Sequence, residues 1–198
     1  MMSRSVLLKF AVIGAAAFVT ACAGAGSGDF TVSRLHHEST YYHQQLAFVN
    51  ANKEMRVEFY NLPSDINQEQ FMAVVTDEMQ RGKEVIDIDF TPAPAPDAPD
   101  HTRVMIAANV ADNVHVRGAC ADPERLSNPI AGPVQDLTFV FCYEQDYRAS
   151  LRLDAPPITA FESDSYRQAI RVATKQLLPL RARDNLSGDR CGNGPLCQ

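Results

Sequence analysis

Residues 137–143, Leu-Thr-Phe-Val-Phe-Cys-Tyr, constrain the fold of this chain more than any other stretch. Consecutive side chains of an extended strand point to opposite sides, and here both sides are apolar. Such a strand belongs in the middle of a sheet, not at its edge. Four other segments alternate instead, with the period of half-buried strands. Met55, Val57 and Phe59 alternate with Arg56, Glu58 and Tyr60, and Ile86, Ile88 and Phe90 with Asp87 and Asp89. Val104, Ile106, Ala108 and Val110 alternate with Arg103 and Asn109 placed outward. Ala149, Leu151, Leu153 and Ala155 alternate with Ser150, Arg152 and Asp154, completing a hairpin with the central strand. Residues 44–49 face 55–60 across Asn50-Ala51-Asn52-Lys53, which reads as a hairpin turn.

Two segments carry the helical period. Ser64 or Asn67 caps the first, whose apolar face is Phe71, Val74, Val75 and Met79, and Gly82 stops it. Ser163 or Asp164 caps the second, whose apolar face is Tyr166, Ala169, Ile170, Ala173 and Leu177, with Pro179 closing it. Four prolines within residues 91–100 demand an exposed loop, and Pro123, Pro129 and Pro133 make residues 118–136 a long irregular connection. The fold class is therefore α+β. An antiparallel or mixed sheet of about five strands carries two helices packed on one face, in the order β-α-β-β-β-β-α.

The most specific signal is an address. Arg4 and Lys9 flank an apolar run over residues 10–19, which is shorter than the roughly 20 residues a membrane-spanning helix needs. Val19-Thr20-Ala21-Cys22 follows at once and resembles the bacterial lipobox. The resemblance implies a diacylglyceryl group on the Cys22 sulfur, cleavage after Ala21 and acylation of the new amino terminus, palmitate included. Residue 23 is Ala, not the Asp that often marks inner-membrane retention in such lipoproteins, so the expected place is the periplasmic leaflet of the outer membrane. The domain plan is then a signal peptide over 1–21, an acylated tether and polar segment over 22–43, one α+β domain over 44–180, and a polar tail over 181–198. The body is also similar to a set of uncharacterised alphaproteobacterial envelope lipoproteins, through Val57-Glu58-Phe59-Tyr60-Asn61-Leu62-Pro63, Phe139-Val140-Phe141-Cys142 and Leu177-Leu178-Pro179. At fold level the layout resembles lipoprotein domains of the penicillin-binding-protein-activator and TolB-amino-terminal kind, which carries no activity with it.

Four cysteines remain after Cys22: Cys120, Cys142, Cys191 and Cys197. An even number in an oxidising compartment reads as disulfides, with three pairings open. Cys120–Cys142 and Cys191–Cys197 are preferred, since the second pair encloses the turn-prone Gly192-Asn193-Gly194-Pro195-Leu196.

A formal charge of −6 argues against a nucleic-acid partner. Acidity also leaves the acyl anchor to hold the chain on a lipid bilayer. The one basic region lies between Arg148 and Arg183, where Arg167, Arg171 and Lys175 form one stripe of the second helix. That stripe is a candidate docking face for an acidic envelope protein or a cell-wall polymer. His36, His37 and His43 are weak candidates for a metal, because adjacent residues point apart in either a strand or a helix. Asp87 and Asp89 share a strand face and are the candidate acid–base or cation-holding pair. No Gly-x-Ser-x-Gly element or phosphate-cradling loop accompanies them. The expectation is a non-enzymatic binding or assembly factor without a cofactor; the alternatives are a small periplasmic hydrolase or a metal-binding lipoprotein.

Overall fold

The computed structural model describes residues 30–41, 53–84, 87–96, 101–127 and 129–179. Six strands and two α-helices occur among them: β1 Thr31–His37, β2 Glu54–Tyr60, α1 Gln68–Gly82, β3 Asp89–Thr91, β4 Thr102–Ala108, β5 Asp136–Tyr143, β6 Asp146–Asp154 and α2 Asp164–Leu177. No helix among the described residues is long and apolar enough to cross a membrane.

The strands form one mixed sheet in the order β1-β6-β5-β4-β2-β3. β2 lies between β3 and β4 and is parallel to both, with α1 making the connection from β2 to β3. β4, β5 and β6 run antiparallel, and β1 adds antiparallel to β6 at the far edge. β5 is central, as its two apolar faces require, and only Glu144 and Gln145 separate it from β6.

The sequence reading needs correction at four places. The sheet has six strands rather than five, because β1 lies in the segment assigned to the tether, and the folded domain begins by Thr31 rather than at 44. A β-bulge between Ser33 and His36, with Arg34 at φ 50, breaks the alternation by which β1 would have been recognised. The neighbours of β2 are β3 and β4, while its expected hairpin partner, residues 44–49, lies outside the described residues. Asp87 precedes β3, which starts only at Asp89. Asn109, expected to face outward in a strand, follows the end of β4 with φ 49 and is buried.

Both helices pack on one face of the sheet. Phe71, Val75 and Met79 of α1 and Tyr166, Ile170 and Leu177 of α2 are buried against Val57, Ile106, Phe139 and Leu151. Each such side chain contributes roughly 1.5–3 kcal/mol on burial. The caps are those the sequence marks: Asn67 Oδ1 accepts from the Gln70 amide (3.1 Å), and Ser163 Oγ from the Tyr166 amide (3.2 Å).

The opposite face is covered by the connection from β4 to β5, which contains short 3₁₀ turns at Val116–Gly118 and Pro123–Leu126. Ala119, Cys120 and Leu126 close over Met105, Ala107, Val140, Cys142 and Tyr147. Two devices hold that cover down. Cys120 and Cys142 form a disulfide with a Cα–Cα distance of 5.6 Å. Asn61 Nδ2 donates to the carbonyls of Ala108 (3.3 Å) and Leu126.

Candidate functional site

The covered face carries the densest polar chemistry among the described residues. Ser150 and Arg152 alternate with Ala149, Leu151 and Leu153 along β6, so they point away from the helices. Thr138 and Asp136 lie across from Arg152 and Asp154 on β5, and Arg34 and His36 come from β1. Residues 110–116 roof the group. A cavity of about 130 Å³ lies between them, with Thr138, Ser150 and Arg152 on the sheet side and Val110, Val114 and Val116 on the roof.

A chain of hydrogen bonds leads to Ser150 on the cavity lining. Arg117 lies 2.7 Å from His36 Nε2, and a guanidinium can only donate. The ring's lone pair therefore faces Arg117 and its proton sits on Nδ1, 3.3 Å from the Tyr147 hydroxyl. The Tyr147 hydroxyl and Ser150 Oγ lie 2.7 Å apart, and either hydroxyl can be the donor. Burial raises the Tyr147 hydroxyl above its ordinary pKa. A serine nucleophile needs a base in contact with its hydroxyl, and the side chain hydrogen-bonded to Ser150 Oγ among the described residues is Tyr147, not a histidine or a carboxylate.

The rim beside it is an ion-pair ladder. Asp112 accepts from Arg34 (2.8 Å) and from Arg152, and Arg152 also reaches Asp136 at 2.9 Å. Asp154 stands 3.7 Å from the Arg152 Nε. The Arg152 hydrogen bond and the Arg34 charge hold the Asp112 carboxyl below its usual range. Burial pushes Asp136 the other way, above the usual range, against the opposing pull of Arg152. None of Arg34, Asp112, Asp136, Tyr147 or Ser150 was singled out from sequence, because the contacts join β1, the roof, β5 and β6 with no fixed spacing.

The basic stripe of α2 has a different setting from the one expected. Arg167 and Arg171 both converge on Glu78 of α1, Arg167 Nη1 at 3.2 Å, and Lys175 Nζ meets Glu84 at 2.9 Å. Glu78 is fully buried. Burial alone would raise its pKa, but the hydrogen bonds from Arg171 and Arg167 outweigh it and hold the carboxyl below its ordinary value. The stripe is therefore a seam between the two helices, its charge answered within the chain. The sequence did hold a signal: Glu78 falls on the same helical face as Phe71, Val75 and Met79, where a carboxylate needs a partner.

The remaining candidates are dispersed. His36 joins the chain described above, whereas His37 turns to the other face and bonds the Leu177 carbonyl at 3.1 Å. His43 lies outside the described residues, among which no three His, Cys, Asp or Glu groups converge to hold a metal. Asp87 pairs with Lys53, and Asp89 accepts from Gln80 at 2.7 Å. Cys22, Cys191 and Cys197 also lie outside the described residues.

No protein-family model and no curated protein matches the chain. Among solved structures it is similar to PelC from Paraburkholderia phytofirmans, described there as a dodecamer. One PelC structure is 15% identical, with a TM-score of 0.39, covering 78% of this chain and 99% of that one. A point variant of the same protein is 14% identical, with a TM-score of 0.38, covering 78% of this chain and 98% of the other.

Proposed function

We propose that this chain is a bacterial lipoprotein, anchored through acylated Cys22 in the periplasmic leaflet of the outer membrane. There it serves as a non-enzymatic binding or assembly factor, with an envelope protein or a cell-wall polymer as partner. The observation that carries the reading is the position of Val19-Thr20-Ala21-Cys22 directly after a short apolar run with a basic start. Acyl chains stabilise membrane residence by about 0.8 kcal/mol per buried CH₂, so more than one chain on Cys22 gives a lasting anchor. The Cys120–Cys142 disulfide supports an oxidising compartment such as the periplasm. The separate pairing of Asp87 and Asp89 weighs for binding over turnover.

The test is labelled palmitate with membrane fractionation of a bacterium expressing the full chain. The expected result is label in the wild type, recovered with the outer membrane, and none in Cys22→Ser, which leaves the outer-membrane fraction. A wild-type chain that is unlabelled, with residues 1–21 intact in the cytosol, overturns the reading. Crosslinking in the intact envelope then identifies the partner.

A further inference from the structure

The end of the sheet at which β1 begins carries an exposed apolar loop. Ile130 is 49% exposed, and no other large hydrophobic side chain among the described residues is open in this way. Pro129, Ala131, Gly132 and Pro133 around it are exposed too. Residues 127–135 hold no Asp, Glu, Lys, Arg or His. One exposed isoleucine is ordinary on a water-facing surface. Two further observations set this one apart.

The first is that the loop's backbone is braced from within. Pro129 and Pro133 have no amide hydrogen, and the Ile130 amide donates to the Asn109 carbonyl at 2.8 Å. The buried Asn109 gives its Nδ2 to the carbonyls of Gly132 and Pro133 and takes the Gln135 amide on Oδ1. Apolar lipid penalises unsatisfied backbone groups above all, and these are satisfied before the loop leaves water.

The second is location. Thr31 pairs with Asp154 and Asp154 with Asp136, so Thr31 stands about 10 Å from Asp136, two strand spacings away. The Asp136 carbonyl accepts from the Asn109 amide at 3.1 Å, and Asn109 in turn holds Ile130. The loop and Thr31 therefore share one end of the sheet. From Cys22 to Thr31 the chain reaches about 30 Å at full extension. An acyl group on Cys22 brings this end to a bilayer, not the opposite end, where His101 meets Glu144. Asp112, Asp136 and Asp154 stand here against Arg34 and Arg152, three acids to two bases. That balance gains nothing from anionic headgroups, so the surface that fits is zwitterionic lipid.

We propose that residues 129–133 are a second membrane contact, in which Ile130 enters the headgroup–acyl boundary of a zwitterionic leaflet and fixes how the domain stands on its anchor. The inference rests on acylation of Cys22, since one side chain alone is too weak to bind a membrane. With the anchor in place, burying the exposed half of Ile130 favours the inserted arrangement by about fivefold.

The chain contains no tryptophan, so an introduced one reports alone. Ile130→Trp and the exposed His101→Trp are each made in the acylated protein and reconstituted in phosphatidylcholine vesicles holding bromine-labelled lipid. Both carry the same indole, so the difference between them reports orientation. Ile130→Trp should lose about half of its emission, and His101→Trp should keep nearly all. In the wild type, exchange of the Ala131 and Gly132 amides should be about fivefold slower on these vesicles than in unacylated Cys22→Ser in solution, and Ile130→Asp should abolish the slowing. Replacing about a third of the lipid by phosphatidylglycerol should not deepen the quenching. Protein that floats with the vesicles while both tryptophans are quenched alike, or while the two amides exchange unchanged, overturns the contact and leaves the anchor standing. Quenching that deepens with anionic lipid overturns it as well. Protein that does not float with the vesicles overturns the anchor and the contact with it.

Discussion

Asn109 shows how one side chain organises a loop. Its backbone sits at φ 49, a conformation that asparagine tolerates better than most residues. Its Nδ2 donates to the carbonyls of Gly132 (3.3 Å) and Pro133 (3.1 Å), and its Oδ1 accepts from the Gln135 amide at 3.3 Å. Asn109→Ala removes these bonds and leaves an alanine in left-handed backbone. The expected loss is about 2–3 kcal/mol in urea unfolding, with Asn109→Gly milder because the backbone strain disappears. Glu78 carries a pH signature. Its folded pKa is lowered, so the stability it gives is fully present above the ordinary carboxylate range and is lost as pH falls through the folded value. Asp136, raised by burial, has the opposite sign: its contribution favours folding at low pH and declines as pH rises through its raised value. Glu78→Gln should therefore flatten the fall in urea midpoint between about pH 6 and about pH 3.

Among the elements, the two helices depend on a close approach that composition does not announce. A Cβ built on Gly82 would stand 2.6 Å from the Arg171 carbonyl oxygen and 2.7 Å from its Cα. The residue after it, Lys83, has φ −65, so Gly82 is not followed by a left-handed cap. Its service is clearance, beside the seam where Glu78 meets Arg167 and Arg171. Gly82→Ala should separate the helices at a cost of about 2–3 kcal/mol, read from the urea midpoint; an unshifted midpoint would mean that α2 yields freely. The strands differ in legibility for a physical reason. β2 and β6 alternate, β4 is apolar and buried on both faces from Val104 to Ala108, and the bulge in β1 moves its later side chains out of phase.

Across the whole molecule, the sheet is closed on one face by helices and on the other by a loop. A loop has few backbone bonds of its own, so the Cys120–Cys142 link supplies what a third layer of regular structure would. Cys142→Ala should cost about 3 kcal/mol, with hydrogen exchange rising over residues 110–127 while α1 and α2 keep their protection. Uniform loss of protection would instead tie the loop to the global unfolding unit. The cavity and the ion-pair ladder exist only because this cover is pressed onto β5 and β6.

Periodicity, caps and prolines are local properties, and from them the sequence by itself determined the α+β class, both helices with their buried faces, the central strand and the preferred Cys120–Cys142 pair. Tertiary structure decided the parallel placement of β3 and β4 beside β2, the edge role of β1, and the fate of every charge. Arg167, Arg171 and Lys175 looked free because a sequence displays a helix's own stripe and not the acid facing it. The polar group around Ser150 was invisible for the same reason. Its members are remote in sequence, and only strand register and the folded-back loop bring them within hydrogen-bonding reach.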